Sequence, residues 1–462
     1  MRPFLRLHAT LSPGHLRRPH YTRLSRRSAP FDPTLSRSHS LTMSTSAFKY
    51  HYIEDVEDIE DYKNHGYHPI HIDDRLQHRY RIVHKLGHGT FSTAWLAHDE
   101  RTASYVAVKV CTADAETKEL DILSQLTHET AHAKTMIPVV LDRFEINGPN
   151  GTHPCLVTVP ARCSLRTSKE ASKFRMFQLE VASALATQLL LAISFIHSQG
   201  YAHGDLHLGN LLLRMDSSLN KLSVEELYAK LGAPERVSID RVDGAPTSSD
   251  PGVPVYAVPP VCLGIASDKL PLGEARLLLS DFGVAFRPED KDRFESYTPL
   301  IYRPPEAFFQ PKTPLTLASD IWSLGCVVFE LFAHRSLIDG IIAPQDDITA
   351  QQVHLQGRMP DEWWESWEER PKWFDDAGNA LSPEGDVFPW EKRFAQWVQE
   401  TRQEFNTGVI PQAEFQALLV LLKRMLAWKP EDRPTIAQVL HSDWARNWGL
   451  PAYQASLNQG SK

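Results

Sequence analysis

The chemistry legible in this chain is concentrated in a few short stretches. In "HGDLHLGN" (203–210), Asp205 precedes Asn210 by one loop's length, and a second carboxylate, Asp281, follows in "LLLSDFGVAF". Carboxylate and amide oxygens in this pattern suit two roles, accepting the proton of a hydroxyl nucleophile and holding a hard divalent cation such as Mg2+. Upstream, "VAVK" ends an apolar run in Lys109. A lysine on a buried strand needs an acidic partner, and Glu119 in "AETKELDILSQL" can supply one. Further upstream, "LGHGTFSTAW" puts Gly87 and Gly89 where a hairpin turns tightly and its amides can approach phosphate oxygens, with Ser92 where a third glycine is usual. Each piece alone fits a structural reading, a plain hairpin for the glycines and a plain ion pair for Lys109. All of them in one order within one chain is not a chance arrangement.

Glycine stretch, VAVK, helix Glu, HxDxxxxN and DFG together resemble the signature set of the protein kinases. "YRPPE" (302–306) is similar to the end of an activation segment, and "SDIWSLGCVVFELF" (319–332) reads as a long helix with Asp320 in its first turn. The resemblance implies an α+β, bilobal protein-kinase-like fold, with a small β-rich N-lobe, a large helical C-lobe and an insertion between catalytic loop and DFG. It implies ATP bound by Leu86, Gly87, His88, Gly89, Thr90, Phe91, Ser92, Ala94, Ala107, Lys109, Val159 and Ala161, and Mg2+ held by Asn210 and Asp281. Asp205 is then the catalytic base, and Glu119 steadies Lys109 on the α- and β-phosphates. Glu306 is expected to pair with Arg433 of "EDRPT", and Asp320 to brace the catalytic loop, a simple N-cap being its structural alternative.

Four positions depart from that pattern. Gly204 replaces the arginine that would clamp a phosphorylated activation loop, which predicts activity without loop phosphorylation. His207 replaces a lysine that would contact the γ-phosphate, a weaker and pH-dependent cation, which predicts slow turnover or turnover that rises below neutral pH. Val159 stands in the "VTVPAR" hinge where an acid is usual, and Pro299 where a threonine normally touches the catalytic Asp.

The elements that must position these residues follow from periodicity. From 80 to 110, apolar and polar residues alternate and break at the glycines, which predicts consecutive antiparallel strands, and "FEINGPNGTHPCLVTV" predicts two more around a turn. "VASALATQLLLAISFIH" predicts a buried helix, because Gln188 and the adjacent Glu180 spoil a membrane span. "SVEELYAKLG" predicts a helix inside an insertion of about 214–275 that is otherwise rich in Pro and Gly and reads as looping out of the fold. The expected organisation is a basic tail over 1–48, an extension over 49–79, the N-lobe over 80–160, the C-lobe over 161–446 and a C-terminal tail over 447–462.

Composition, 42% hydrophobic and 23% charged, is that of a globular chain. Residues 1–42 hold eight Arg and one acid, Asp32, a net charge of +7 against −8 for the whole chain, so the remainder carries −15. An acidic body disfavours direct nucleic-acid binding and favours basic protein partners. The Arg- and Ser-rich start has the composition of a transit peptide or a solvated tail. Five scattered cysteines without a CxxC pair argue against a disulfide framework or zinc site and fit a reducing compartment.

"GYHP" (66–69), the "FST-W" ending of the glycine stretch, "FEINGPNG", "HSDWA" and the split core resemble the SR-protein kinases, and among them the divergent fungal members. That resemblance, from about Tyr50 to about Trp444, implies a monomer that phosphorylates Ser in Arg/Ser-rich proteins of mRNA processing, in cytoplasm and nucleus, with no membrane association. A mitochondrial location is the alternative if residues 1–42 are a transit peptide. It also implies an acidic docking edge at Asp346 and Asp347, followed by Asp361, Glu362, Glu365, Glu368 and Glu369, the later of which read rather as a solvated helix face. Two other readings remain open. "HGDLHxGN" also resembles small-molecule phosphotransferases of the aminoglycoside and choline type, and a scaffold that retains the fold without turnover fits the altered hinge.

Overall fold

The computed structural model describes residues 48–460, apart from 114, 116–117, 129–134, 216, 247–249, 262, 341–342 and 384–386. The expected basic tail up to residue 47 lies outside the described residues. Strands β1 (Arg75–Leu76), β2 (Tyr80–Gly89), β3 (Ser92–Asp99), β4 (Ser104–Cys111), β5 (Val140–Gly148) and β6 (Gly151–Thr158) form one antiparallel sheet in the order β1-β2-β3-β4-β6-β5. Helix α1 (Lys118–His128) is inserted between β4 and β5. Register shifts in β2 between Ile82 and His84 and between Lys85 and Gly87 mark bulges, which add local twist just before the glycine hairpin.

Parts of both faces of this sheet are covered, by the extension and by the insertion. Ile82, Trp95, Ala97, Val106, Val108 and Val157 pack against Ile70, Ile72 and Leu76 of the extension and Val258 of the insertion. On the other face Val83, Leu96 and Tyr105 pack against Val224 and Leu227 of the insertion.

After β7 (Ala161–Ser164) the C-lobe begins with α2 (Leu165–Glu170) and α3 (Leu179–Ser198). Among the described residues α3 is the one helix long and apolar enough to cross a membrane, and 72% of that window is buried inside the fold, as a core helix requires. Strand β8 (Leu211–Arg214) leads into the insertion, which does not loop out. It runs along the N-lobe: α4 (Val224–Leu231) starts with a Ser223/Glu226 capping box and stops at Gly232, whose φ of +88° suits glycine. Tyr228 Oη donates to the Val83 carbonyl at 3.0 Å, and Tyr105 Oη to that of Leu222 at 3.2 Å. Short strands β9 (Val237–Ser238) and β10 (Tyr256–Ala257) pair, and Val261 N donates to the Lys85 carbonyl before the chain returns to the C-lobe, where Ser168 Oγ donates to the Ile265 carbonyl. The insertion stays on the sheet because its apolar residues, Val224 and Leu227 of α4 and Val258 of the Pro/Gly-rich stretch, cover that surface.

Strand β11 (Leu277–Leu279) pairs with β8, and β8 with β7, so catalytic loop and DFG stretch leave one small sheet side by side. Beyond α5 (Glu306–Phe309) comes α6 (Leu317–Phe332), apolar on nearly every side and buried. Its C-terminal carbonyls are capped by buried cations, Lys169 Nζ on Glu330 and Ala333 and Arg402 Nε on Phe332, the sign its negative end favours. Helices α7 (Gln345–Gln356) and α8 (Asp361–Ser366) follow. The expected C-terminal tail is instead folded: the helix Leu450–Gly460 packs on the core, and Arg276 bonds Ser456 through both its hydroxyl and its carbonyl.

Candidate active site

The loop 203–210 joins α3 to β8 and is fixed from below by Asp320. The first turn of α6 is capped by Thr316, whose hydroxyl accepts from Ala318 N. Asp320 is therefore not needed as a cap, and its carboxylate accepts from His203 N at 2.7 Å and Gly204 N at 3.0 Å, and meets His197 Nε2 at 3.0 Å. Burial alone would raise its pKa, but His197 and the other groups around it outweigh burial and hold it below the usual carboxylate range. Gly204 has φ +76°, and a Cβ there would stand 3.2 Å from the Val284 carbonyl and 3.4 Å from the Phe286 ring. An arginine would be strained at this position, so the substitution belongs to the loop's geometry.

Asp205 commits one oxygen and leaves the other bare. Asn210 Nδ2 donates to Asp205 Oδ2 and to its carbonyl, both at 3.0 Å, whereas Asp205 Oδ1 is buried without a hydrogen-bond partner. His207 Nε2 lies 3.5 Å from Asp205 Oδ2, and His207 Nδ1 accepts from Gly209 N at 3.0 Å. With Nδ1 accepting from Gly209, Nε2 is the ring nitrogen left to donate toward Asp205. His203, one turn away, accepts from Asp205 N at Nδ1 and donates from Nε2 to the Ser280 carbonyl, which ties the loop to the DFG stretch.

A second cluster faces it. Lys109, from the end of β4, bonds Glu119 of α1 at 2.6 Å and lies 3.8 Å from Asp281. Burial would lower the Lys109 pKa, but the two carboxylates outweigh it and raise it, so Lys109 stays a cation. The other Glu119 oxygen accepts from Phe282 N at 3.3 Å, which binds α1 to the DFG stretch. Asp281 has φ +66°, an uncommon conformation for a residue other than glycine, and its side chain is half exposed. Ser280 N and Oγ both donate to the Asn210 carbonyl at 2.9 Å and so join the two clusters.

The hairpin residues Leu86 to Ser92 turn between β2 and β3, with Thr90 and Phe91 at the two-residue tip. A Cβ on Gly87 or Gly89 would meet nothing within 4 Å, so packing does not demand these glycines, and the space is free for a ligand. Leu86 itself packs partly against the insertion cluster. Ala94 stands opposite Lys109, and Ala107 opposite Thr158, from which Val159 and Pro160 link the large sheet to β7. Proline has no amide proton, so this link offers the amides of Val159 and Ala161.

Among the described residues no group of three or more His, Cys, Asp or Glu could hold a metal. Mg2+ asks for less, one or two carboxylates with substrate phosphates completing its shell. Asp281 and the amide oxygen of Asn210, whose nitrogen is turned to Asp205, fit that demand.

Pro299 is not the residue that reaches the catalytic loop. Thr298, buried one position earlier, donates from Oγ1 to the Gly204 carbonyl at 2.9 Å. It touches the backbone beside Asp205, a contact the pattern of sequence spacing missed by one residue. Glu306 and Arg433 form a buried two-pronged ion pair at 2.6 and 2.8 Å, which fixes the end of the activation segment to the lower core. Asp346 and Asp347 stand apart from these clusters in the first turn of α7, and Trp367 Nε1 donates to Asp346 Oδ1 at 2.8 Å.

Comparison with known proteins agrees with this fold. The family model for the protein kinase domain matches residues 80–223 and 270–445, the break falling in the insertion. A serine/threonine protein kinase of Aspergillus fumigatus is 26% identical over 388 residues, 82% of this chain and 87% of that protein. The serine/threonine-protein kinase SRPK of Physarum polycephalum is 27% identical over 396 residues, 80% of this chain and 86% of that protein. The crystal structure of the PF14_0431 kinase domain superposes with a TM-score of 0.56 at 19% identity, covering 82% of this chain and 98% of that one, a likeness of fold. The chain belongs to the protein kinase family, and its relatives include serine/threonine kinases of the SRPK type.

Proposed function

We propose that this serine/threonine protein kinase takes its phosphoryl group from ATP and transfers it to serine in basic, Arg/Ser-rich proteins. The observation that carries the reading is the bare oxygen of Asp205, buried and unpaired beside a partner oxygen fixed by Asn210. A desolvated acceptor without a partner costs stability, and a substrate hydroxyl would satisfy it. The serine oxygen bonds to the γ-phosphorus as the bond from that phosphorus to the β-phosphate oxygen breaks, and the serine proton passes to Asp205 Oδ1. Lys109, a cation held by Glu119, binds the phosphates of ATP, and the amides of Val159 and Ala161 its adenine. Asn210 and Asp281 would hold Mg2+, which would neutralise phosphate charge when bound.

The substrate class is supported by charge. Asp346 and Asp347 lie at the start of α7, close enough to Lys372 to raise its pKa after the main effect of Glu369. Asp361, Glu362 and Glu365 are exposed on α8, while Trp363 and Trp364 of the same helix are buried. Such a patch on an acidic body attracts Arg-rich chains.

The test is radiolabel transfer from ATP to an Arg-Ser peptide, a neutral Ser peptide and a small aminoalcohol. The Arg-Ser peptide is expected to be labelled best, and Asp346→Asn with Asp347→Asn to raise its KM several-fold while sparing the neutral peptide. Preference for the neutral peptide would remove the substrate reading, and labelling of the aminoalcohol alone would point to small-molecule phosphotransfer.

A further inference from the structure

The glycine hairpin is held from outside the sheet by one phenol. Tyr67 Oη lies 2.8 Å from the Gly89 carbonyl and 3.2 Å from that of Thr90, the residues at the hairpin tip. The next carbonyl, Phe91, accepts from Thr112 N at 2.9 Å, so three consecutive tip carbonyls are bound by groups outside the hairpin.

Tyr67 is itself fixed. It is 4% exposed, its amide donates to the Asp61 carbonyl, and its own carbonyl accepts from Asn150 Nδ2 at 2.7 Å. The same Asn150 amide bonds the Gly252 carbonyl of the insertion at 2.7 Å. The Tyr67 ring packs on Tyr62 with centroids 5.5 Å apart, and Tyr62 Oη bonds Glu57. Glu57 forms a buried ion pair with Lys85, on the strand that runs into Gly87. The extension thus grips the hairpin at its tip and at its base.

Peptide geometry turns this grip into a statement about phosphate. In a trans peptide the C=O and N–H bonds point in opposite directions. With the Gly89 and Thr90 carbonyls directed to Tyr67, the amides of Thr90 and Phe91 are directed away from it. Successive amides aimed one way form a cradle for an anion.

We propose that Tyr67 is a positioning residue for the nucleotide phosphates: its hydroxyl fixes the hairpin tip, and through it the N-terminal extension sets affinity for the triphosphate. The proposal rests on the reading of this cleft as the ATP site. It requires the hydroxyl rather than the ring, so Tyr67→Phe isolates it. Tyr105→Phe is the control, since Tyr105 is also buried in the N-lobe and also donates its hydroxyl to a carbonyl, that of Leu222, away from the hairpin.

Three quantities are measured on the full chain: equilibrium binding of ATP with Mg2+ and of adenosine, the KM and kcat for ATP, and amide hydrogen exchange over residues 86–92 without nucleotide. For Tyr67→Phe, Kd and KM for ATP are expected to rise about three- to tenfold, the factor that one or two lost hydrogen bonds yields. Adenosine affinity is expected to hold, kcat to change less than KM, and exchange at the tip to quicken. Tyr105→Phe is expected to change none of these. ATP affinity and exchange unaltered in Tyr67→Phe, or equal losses for ATP and adenosine, would overturn this inference alone. A wild-type protein that binds no ATP would overturn the nucleotide reading beneath it.

Discussion

Asp205 and His207 divide the work of the catalytic loop. Asp205 presents an unpaired, buried oxygen, and His207 completes the frame around its other oxygen while its Nδ1 holds Gly209 N. His207→Ala would leave Gly209 N unpaired and remove a donor from beside Asp205. A loss of about fivefold in kcat is expected, the size one hydrogen bond of about 1 kcal/mol supports, with ATP affinity little changed. Steady-state kinetics at saturating ATP measures it. An unchanged kcat would make the histidine a spacer. The residue types at this scale were legible because each motif constrains chemistry as well as fold: Asp205, Asn210, Lys109, Glu119 and Asp281 stand in two clusters joined by Ser280. Thr298 was not legible, since a contact with the Gly204 carbonyl depends on the path of the segment and spacing had pointed to Pro299.

The activation segment and the insertion are the elements whose behaviour the structure most changes. Without an arginine at 204, the segment is held by its own residues. Phe286 pairs with Ala202 across a β-bridge, and Arg293 donates to the Val284 carbonyl and stacks between Phe286 and Tyr297 at 5.1 Å from each ring. Protein treated with phosphatase is therefore expected to retain its peptide-labelling rate, and a rate abolished by phosphatase would contradict this. The insertion is expected to behave as part of the N-lobe. Leu227, fully buried against Val83 and Leu96, is the test position, and Leu227→Ala should destabilise the protein by about 2–5 kcal/mol. Thermal unfolding, with faster amide exchange in β2 to β4, would show it; an insertion that merely loops out would leave both unchanged. The α4 helix was readable from "SVEELYAKLG", with its cap and its glycine stop. Its docking was not, because one helical stripe of Val224 and Leu227 does not name the surface it covers.

Across the whole molecule, several histidines are buried or half-buried, which disfavours their charged form. Burial, helped by His153, pushes His68 down to about 4, and burial likewise lowers His84, His153, His334 and His354. Folded values below the unfolded value mean that the unfolded chain binds more protons in the interval between them, so stability falls as pH drops through about 6.5 and the share of His68 is fully lost near about 4. The urea midpoint is expected to decline between pH 7 and 5, and His68→Asn to flatten that decline. A flat profile in the wild type would contradict it. The two-lobed architecture was legible at this scale, since the switch from alternating strands to long apolar helices falls near residue 160. The extension was visible only as a family-like stretch, whereas the structure makes it a wall of the sheet and a grip on the glycine hairpin.

The central claim, that the bare Asp205 oxygen takes the serine proton, is tested most directly by single-turnover labelling of an Arg-Ser peptide with Asp205→Asn, beside equilibrium ATP binding. The amide keeps the size of the side chain and removes the base. The account predicts unchanged ATP affinity and a transfer rate lower by about a hundred- to ten-thousandfold, the range of general-base catalysis. Transfer at the wild-type rate, with ATP bound as before, would contradict it.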